Sequence, residues 1–106
     1  MSLQEPPFLY LTTTGRVTGR PREIEIWFVT RKGKYYVLAE HFQETQWVKN
    51  IRKNPRVLVR VAGREFEAAA RVLDPGDDKQ IWELARQLAR EKYGWGEGLP
   101  VEIAPV

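Results

Sequence analysis

The 106-residue chain has no cysteine, one serine (Ser2) and one histidine (His41). Without cysteine it can form neither a disulfide nor a thiolate metal site, and this usage fits a cytoplasmic location. A Ser-His-Asp triad would need the serine beside the N-terminus, and a single histidine cannot replace the several His or Cys ligands of a zinc hydrolase. We therefore expect no metal site, and an enzyme of this sequence would depend on an organic cofactor.

Long apolar runs are also missing, so the sequence predicts no membrane span. The first residues carry no basic segment followed by an apolar one, and we expect no secretory signal. Apolar residues make up 42% of the chain and charged residues of mixed sign 29%, which is typical of one folded domain. We predict a tail over residues 1–7 and a single domain over residues 8–106.

Positive charge is concentrated in the first part of the chain. Residues 1–60 hold 11 Lys and Arg against 5 Asp and Glu, whereas residues 61–106 hold 6 against 9. The N-terminal part is therefore the expected face for an anionic partner. Five of its basic residues fall between Lys49 and Arg60, a run that fits a solvated face, a site for an acidic cofactor tail, or weak nucleic-acid binding.

Hydrophobic alternation predicts a mainly β protein of α+β type. We predict six mostly antiparallel strands at about 8–14, 22–31, 35–39, 57–61, 64–73 and 101–103, and helices at about 45–53 and 75–93. Thr45 is a plausible N-cap for the first helix, as Asp74 is for the second, with Pro75 at its first position. Six strands and two helices favour a small barrel. Such a barrel fills with its own side chains, so a cofactor would lie outside it, in a groove between two copies.

The segment Leu11–Arg22 reads Leu-Thr-Thr-Thr-Gly-Arg-Val-Thr-Gly-Arg-Pro-Arg and lies between two predicted strands. Glycines let backbone N–H groups turn toward a ligand, and hydroxyl and guanidinium groups donate to oxyanions. The segment therefore fits a loop that holds a phosphate or a carboxylate. It also fits a solvated hairpin whose Gly and Pro only make the turn.

Two motifs resemble the deazaflavin-dependent nitroreductase family. They are the loop just described and the later pattern Trp47-x-x-Asn50-apolar-x-x-Asn54-Pro55-x-Val57. Members are split β-barrel oxidoreductases that use the deazaflavin coenzyme F420 and are related to split-barrel FMN proteins. The resemblance covers about nine-tenths of the chain, and it implies an FMN-binding split-barrel-like fold and a homodimer.

The resemblance also implies site residues. The coenzyme's phosphate and acidic tail would contact Arg16, Val17, Thr18 and Arg22. The deazaflavin ring would contact the next strand through Ile24 and Trp27, the end of the third strand at Leu38, Ala39, Glu40 and His41, and the short helix through Trp47 and Asn50. Substrate contacts would come from Tyr93 and Trp95. Catalytic residues are not assigned, because the coenzyme carries the chemistry.

The sequence departs from the family pattern at two places in this site. Val17 stands where many members have a basic residue, and Glu40-His41 stands where members often have a small hydroxyl and a lysine. Both changes mildly favour a less acidic ligand. From the residues, His41 fits a cofactor contact, a haem ligand or an ordinary loop histidine, Trp47 fits a core anchor or a pocket wall, and Asn50 fits a cofactor donor or a loop partner.

Three functions follow from these patterns. The first is hydride transfer from the reduced deazaflavin to a small acceptor such as a quinone, an enone or a nitro compound. The second keeps the fold and uses FMN. The third is a non-enzymatic small barrel that binds RNA or another anion, supported by the basic N-terminal part and by the aromatic residues Trp27, Tyr35 and Tyr36.

Overall fold

The computed structural model describes residues 6–106. Of the predicted tail over residues 1–7, residues 1–5, which include Ser2, lie outside the described part. The described residues form seven strands and two α-helices. The strands are β1 (Leu9–Thr14), β2 (Pro21–Ile26), β3 (Val29–Arg31), β4 (Lys34–Ala39), β5 (Arg56–Val61), β6 (Arg64–Val72) and β7 (Leu99–Pro105), and the helices are α1 (Gln46–Lys53) and α2 (Lys79–Tyr93).

The strands make one antiparallel sheet in the order β2-β1-β5-β6-β7-β4-β3. Its two edge strands, β2 and β3, are consecutive in the chain, so the sheet curls into a half-barrel whose open seam lies at the β2–β3 connection. The mainly β split-barrel-like fold predicted from the sequence is confirmed. The predicted alternation in β5 also holds, because Val57, Val59 and Val61 are buried while Leu58 is 41% exposed.

The prediction of a single strand over 22–31 is wrong, and the strand count is seven rather than six. Pairing breaks after Ile26, and Phe28 and Val29 are buried in succession, which no regular strand with one buried face allows. The phenol of Tyr93 donates to the carbonyl oxygen of Phe28 at 2.8 Å and lies 3.0 Å from its backbone nitrogen. These contacts replace the ladder bonds that would have continued the strand.

The second helix begins at Lys79, four residues later than predicted, with Asp78 as its N-cap. The carboxylate of Asp74 accepts from the backbone N–H groups of Gly76 and Asp77, at 2.9 and 2.8 Å, and so holds a separate turn before the helix. Aspartate side chains compete with helical bonds in this way. Pro75 therefore lies in that turn and not at the first helical position.

Apolar side chains pack in two clusters. The larger lies within the curled sheet and is closed by Val48 and Ile51 of α1. The smaller lies between α2 and strands β3 and β4, where Ala85 and Ala89 meet Tyr36 and Leu38. Since α1 covers the first cluster beside the seam, the start of α1 is brought next to β2 and to the loop that precedes it.

One buried carboxylate accompanies the second cluster. Glu102 of β7 is 8% exposed and accepts the hydroxyl of Tyr36 at 2.9 Å, with Arg71 at 3.4 Å and Lys34 at 3.6 Å. Burial and the bond to Glu102 raise the pKa of Tyr36 to about 12. Tyr36 is thus an internal structural residue, and Tyr35 packs between Phe28 and Phe66. Neither ring offers the free stacking face on which the RNA-binding alternative relied.

Candidate functional site

The loop between β1 and β2 closes tightly on itself. The backbone N–H of Gly15 donates to the carbonyl of Arg20, and that of Gly19 donates to the carbonyl of Gly15, both at 2.8 Å. A Cβ on Gly15 would lie 3.1 Å from the Arg20 carbonyl oxygen, and Gly19 has φ of 73°. Both positions therefore suit glycine, for close approach and for left-handed backbone respectively. The result is a preformed turn rather than an open hairpin.

Helix α1 holds this loop from one side. Asn50 Oδ1 accepts from the backbone N–H of Arg16 at 3.1 Å and from its guanidinium at 3.0 Å, while Gln46 Oε1 accepts from the same guanidinium at 2.7 Å. The amide nitrogen of Asn50 donates to the buried hydroxyl of Thr13 at 3.1 Å. Of the two roles considered for Asn50, the structure shows the loop contacts, and its side chain is 5% exposed within the described chain.

A groove of about 370 Å³ lies between the loop and α1. Thr18 and Arg22 lie at its rim, and the guanidinium of Arg22 makes no hydrogen bond or ion pair to any residue in the 6–106 range. Val17 is 88% exposed here. Arg16 thus shapes the groove while Arg22 remains available for an anion. The groove is lined by Gly15, Arg16, Val17, Thr18, Arg22, Ile24, Gln46, Trp47 and Asn50.

A larger cleft of about 690 Å³ continues from the groove along the seam. Ile24 and Trp47 line both cavities, so the two form one continuous site with a cationic end and an aromatic end. Three tryptophans contribute to the aromatic end. The cleft is lined by Ile24, Glu25, Ile26, Trp27, Leu38, Glu40, His41, Thr45, Trp47 and Trp95.

Thr45 lies in the wall of the cleft, at the N-cap position predicted for it. It is the N-cap of α1 by backbone position, but its hydroxyl makes no capping bond. Its Oγ1 is a buried side-chain oxygen with no hydrogen-bond partner in the described structure. Such an atom is costly to leave unpaired, and its place in the cleft wall makes it a candidate ligand contact. A threonine before a helix reads as a cap in sequence, and no signal there marked it as a site residue.

Glu25, Glu40 and His41 are the ionisable residues in the lining of the aromatic end. Glu25 accepts from the hydroxyl of Tyr10, a bond that raises the pKa of Tyr10. Glu40 and His41 follow β4 and are exposed. The next residue, Phe42, has φ of 49°, a left-handed conformation that a bulky side chain rarely adopts. Neither acidic residue lines the cationic groove.

The C-terminal aromatic residues have different positions. Trp95 lines the cleft, and Gly98 lets it pack there, because a Cβ on Gly98 would lie 2.9 Å from the Trp95 ring and 2.9 Å from the Ala39 carbonyl oxygen. Tyr93 does not line the cleft and stacks behind Trp27. Ala39 is 1% exposed and belongs to the core. The other predicted site residues line the groove, the cleft or both.

No helix in the described residues has the length and apolar character needed to cross a membrane. Comparison with known proteins gives a family. A sequence model of the F420H(2)-dependent quinone reductases matches residues 1–103. An F420H(2)-dependent quinone reductase of Mycobacterium tuberculosis is 26% identical over 93 residues, which cover 83% of this chain and 62% of that relative. The chain therefore spans less than two thirds of the length of this curated relative.

Solved structures have the same fold. The F420-H2 dependent reductase FDR-A superposes with a TM-score of 0.70 at 25% identity, covering 97% of each chain. A second structure, described as a domain-swapped dimer, has a TM-score of 0.68 at 25% identity and covers 96% of this chain and 82% of its own. With the family match over nearly the whole length, these similarities agree with the resemblance seen in the two sequence motifs. The chain belongs to the F420H(2)-dependent quinone reductase family.

Proposed function

We propose that this protein is an oxidoreductase that binds coenzyme F420 and passes a hydride from its reduced form to a small acceptor of the quinone, enone or nitro class. The observation that carries the proposal is the continuity of the cationic groove with the aromatic cleft through Ile24 and Trp47. A ligand that fills both must carry an anionic tail on a flat ring system. That is the chemistry of a deazaflavin with an acidic tail.

The side chains present fit this coenzyme. Arg22, Thr18 and the loop backbone would hold the phosphate and acidic tail, since guanidinium, hydroxyl and N–H groups all donate to oxyanions. Trp27, Trp47 and Trp95 would enclose the ring, and the unpartnered Thr45 hydroxyl would bond a polar atom on it. Glu25 and Glu40 lie outside the groove, which keeps them from the anionic tail. With Val17 in place of a basic residue, the tail has one cationic contact fewer, but Arg22 still has no partner within the described chain.

The bound coenzyme supplies two-electron hydride chemistry, and the chain supplies binding, orientation and exclusion of water. The aromatic walls orient two flat reactants face to face, because stacked rings are held at a defined separation. Arg16, clamped by Gln46 and Asn50, keeps the tail-binding loop in one conformation, so little ordering is left to the moment of binding.

The test is a titration of the protein with coenzyme F420 and, in parallel, with FMN. Fluorescence quenching measures the binding of each. We expect saturable binding of F420 that is tighter than that of FMN. Reduced F420 should then be oxidised when a quinone is added to the protein and not in its absence. Failure to bind F420, or tighter binding of FMN, would contradict the proposal.

We also propose a homodimer in the cytoplasm. The edge strands β2 and β3 are unpaired on their outer sides within the described chain, and unpaired edges are normally covered. The similar structure described as a domain-swapped dimer supports pairing of two copies. Sedimentation equilibrium over a range of concentrations tests this, with a monomer at all concentrations as the contrary result.

A further inference from the structure

The acceptors proposed above need a proton as well as a hydride. A quinone that takes a hydride becomes a hydroquinone monoanion, and one proton on the second oxygen completes the neutral hydroquinone. The two electrons come from the reduced coenzyme, and the proton must come from the chain or from water. A donor in the cleft would act in the same step, because it neutralises the charge as it develops on the acceptor oxygen.

The cleft holds few groups able to donate such a proton near neutral pH. Carboxyl groups such as those of Glu25 and Glu40 are ordinarily ionised there, and the Thr45 hydroxyl is too weak an acid. The hydroxyl of Tyr93, the nearest phenol behind the cleft wall, is bonded to the carbonyl oxygens of Pro7 and Phe28 at 2.6 and 2.8 Å. Imidazole alone among the cleft-lining groups ordinarily titrates close to neutrality.

His41 has the position that this role requires. It lines the cleft together with Trp27, Trp47 and Trp95, and its imidazole makes no hydrogen bond or ion pair within the described part of the chain. It is exposed on its other side, so bulk water can return the proton after each turnover. The left-handed Phe42 that follows it constrains the turn that carries the imidazole.

Other charged groups near His41 are few. Glu40 precedes it, whereas the carboxylate of Glu25 is bonded to the hydroxyl of Tyr10, on the sheet face opposite to Ile24 and Ile26. A short 3-10 helix, Phe42–Glu44, follows His41. In it, Glu44 pairs with Lys49 at 3.3 Å, and Gln43 accepts from Arg52 at 2.8 Å. Arg16 and Arg22 line the neighbouring groove rather than the cleft. Within the described residues, no Lys or Arg lines the cleft beside the imidazole.

We propose that His41 is the proton donor to the acceptor, a role that rests on the proposed function. The imidazolium N–H bond breaks as an O–H bond forms on one quinone oxygen, while the hydride arrives at the other quinone oxygen. His41 is left neutral and regains its proton from solvent.

The experiment compares two acceptors with the F420-loaded protein and its His41→Gln variant. A quinone needs a hydride and a proton, whereas a tetrazolium cation becomes its neutral formazan on taking a hydride alone. We expect H41Q to lower kcat for the quinone about 100-fold and to lower tetrazolium reduction far less. Glu44→Gln, on the same 3-10 helix but outside the cleft, is the matched control and should change neither rate.

Equal loss with both acceptors, or no loss with either, overturns the assignment of His41. If the wild-type protein binds no F420 and reduces neither acceptor, the proposed function itself has failed, which is a different result. A second readout does not use turnover. His41 is the only histidine, so its imidazole C–H signal is unique in a proton NMR spectrum, and adding a naphthoquinone to the protein loaded with oxidised F420 should shift it. An unchanged signal also overturns the proposal.

Discussion

The rings of Trp27 and Tyr93 lie parallel, with centroids 4.4 Å apart and an angle of 3° between their planes. Trp27 belongs to the β2–β3 connection and Tyr93 ends α2, so the stack joins the seam of the half-barrel to the C-terminal end of that helix. Trp27 remains 48% exposed. Tyr93 thus covers one face of the Trp27 ring, and the exposed part of the indole lines the cleft.

Replacing Tyr93 with Phe should keep this stack and remove the hydroxyl bonds to Phe28 and Pro7. We expect the free energy of unfolding to fall by about 1–3 kcal/mol, because the partly buried backbone N–H of Phe28 loses its partner, whereas its carbonyl keeps the Lys92 ammonium at 2.9 Å. Urea denaturation measures it. In the control Tyr35→Phe, the lost bond to Arg64 is exposed, and the change should stay within about 0.5 kcal/mol. Equal effects would contradict the clamping role.

The Asn50→Ala variant should weaken both folding and coenzyme binding. It leaves the buried Thr13 hydroxyl and the backbone N–H of Arg16 without their partner, and we expect a loss of roughly 1–3 kcal/mol in unfolding free energy. The freed loop should also bind F420 less tightly. In Asn54→Ala, the lost bond to the backbone N–H of Arg56 is exposed, so F420 affinity should be retained. Full affinity in N50A would show that the loop needs no support from α1.

The Arg22→Ala variant should separate binding from stability. Since its guanidinium has no partner in the described chain, we expect unfolding to change by less than about 0.5 kcal/mol, while F420 affinity falls about 10- to 100-fold. The wild-type affinity should drop with added salt more steeply than that of R22A. Arg64→Ala, a cation that lines neither cavity, is the control and should bind normally. An R22A protein with unchanged affinity argues against a tail site at the groove.

Tyr36 should make unfolding pH-dependent at high pH. Burial and the bond to Glu102 raise the pKa of Tyr36 from 10.0 to about 12, so the folded state holds this proton more tightly than the unfolded chain does. The stabilisation is complete below pH 10 and is lost as the pH rises to about 12, a difference of roughly 2–3 kcal/mol. Denaturation of the wild-type protein and of Tyr36→Phe over this range measures it. Parallel pH profiles for the two proteins would contradict it.

Local patterns predicted most of the sheet. Alternation in β5 is visible in the sequence because every second side chain meets the same core. The prediction of one strand over 22–31 was wrong for a nonlocal reason. Strand pairing stops at Phe28, whose backbone bonds the hydroxyl of Tyr93, 65 residues away. The predicted start of α2 was wrong for a local reason. The carboxylates of Asp74 and Asp78 accept from backbone N–H groups of residues 74–77 and so hold a turn before the helix. Asn50 remained open between two roles until its partners on β1 and the loop were seen.

The sequence by itself determined the glycine loop with its arginines, the antiparallel strands, and the lack of cysteine chemistry. These follow from residue type and period alone. The tertiary structure decided that Arg16 is a clamp while Arg22 is free, that Tyr93 supports Trp27 from behind, and that Ile24, Trp47 and Trp95 meet in one site. They meet because burying one face of every strand and of α1 curls the sheet, and the curl brings together segments far apart in the chain.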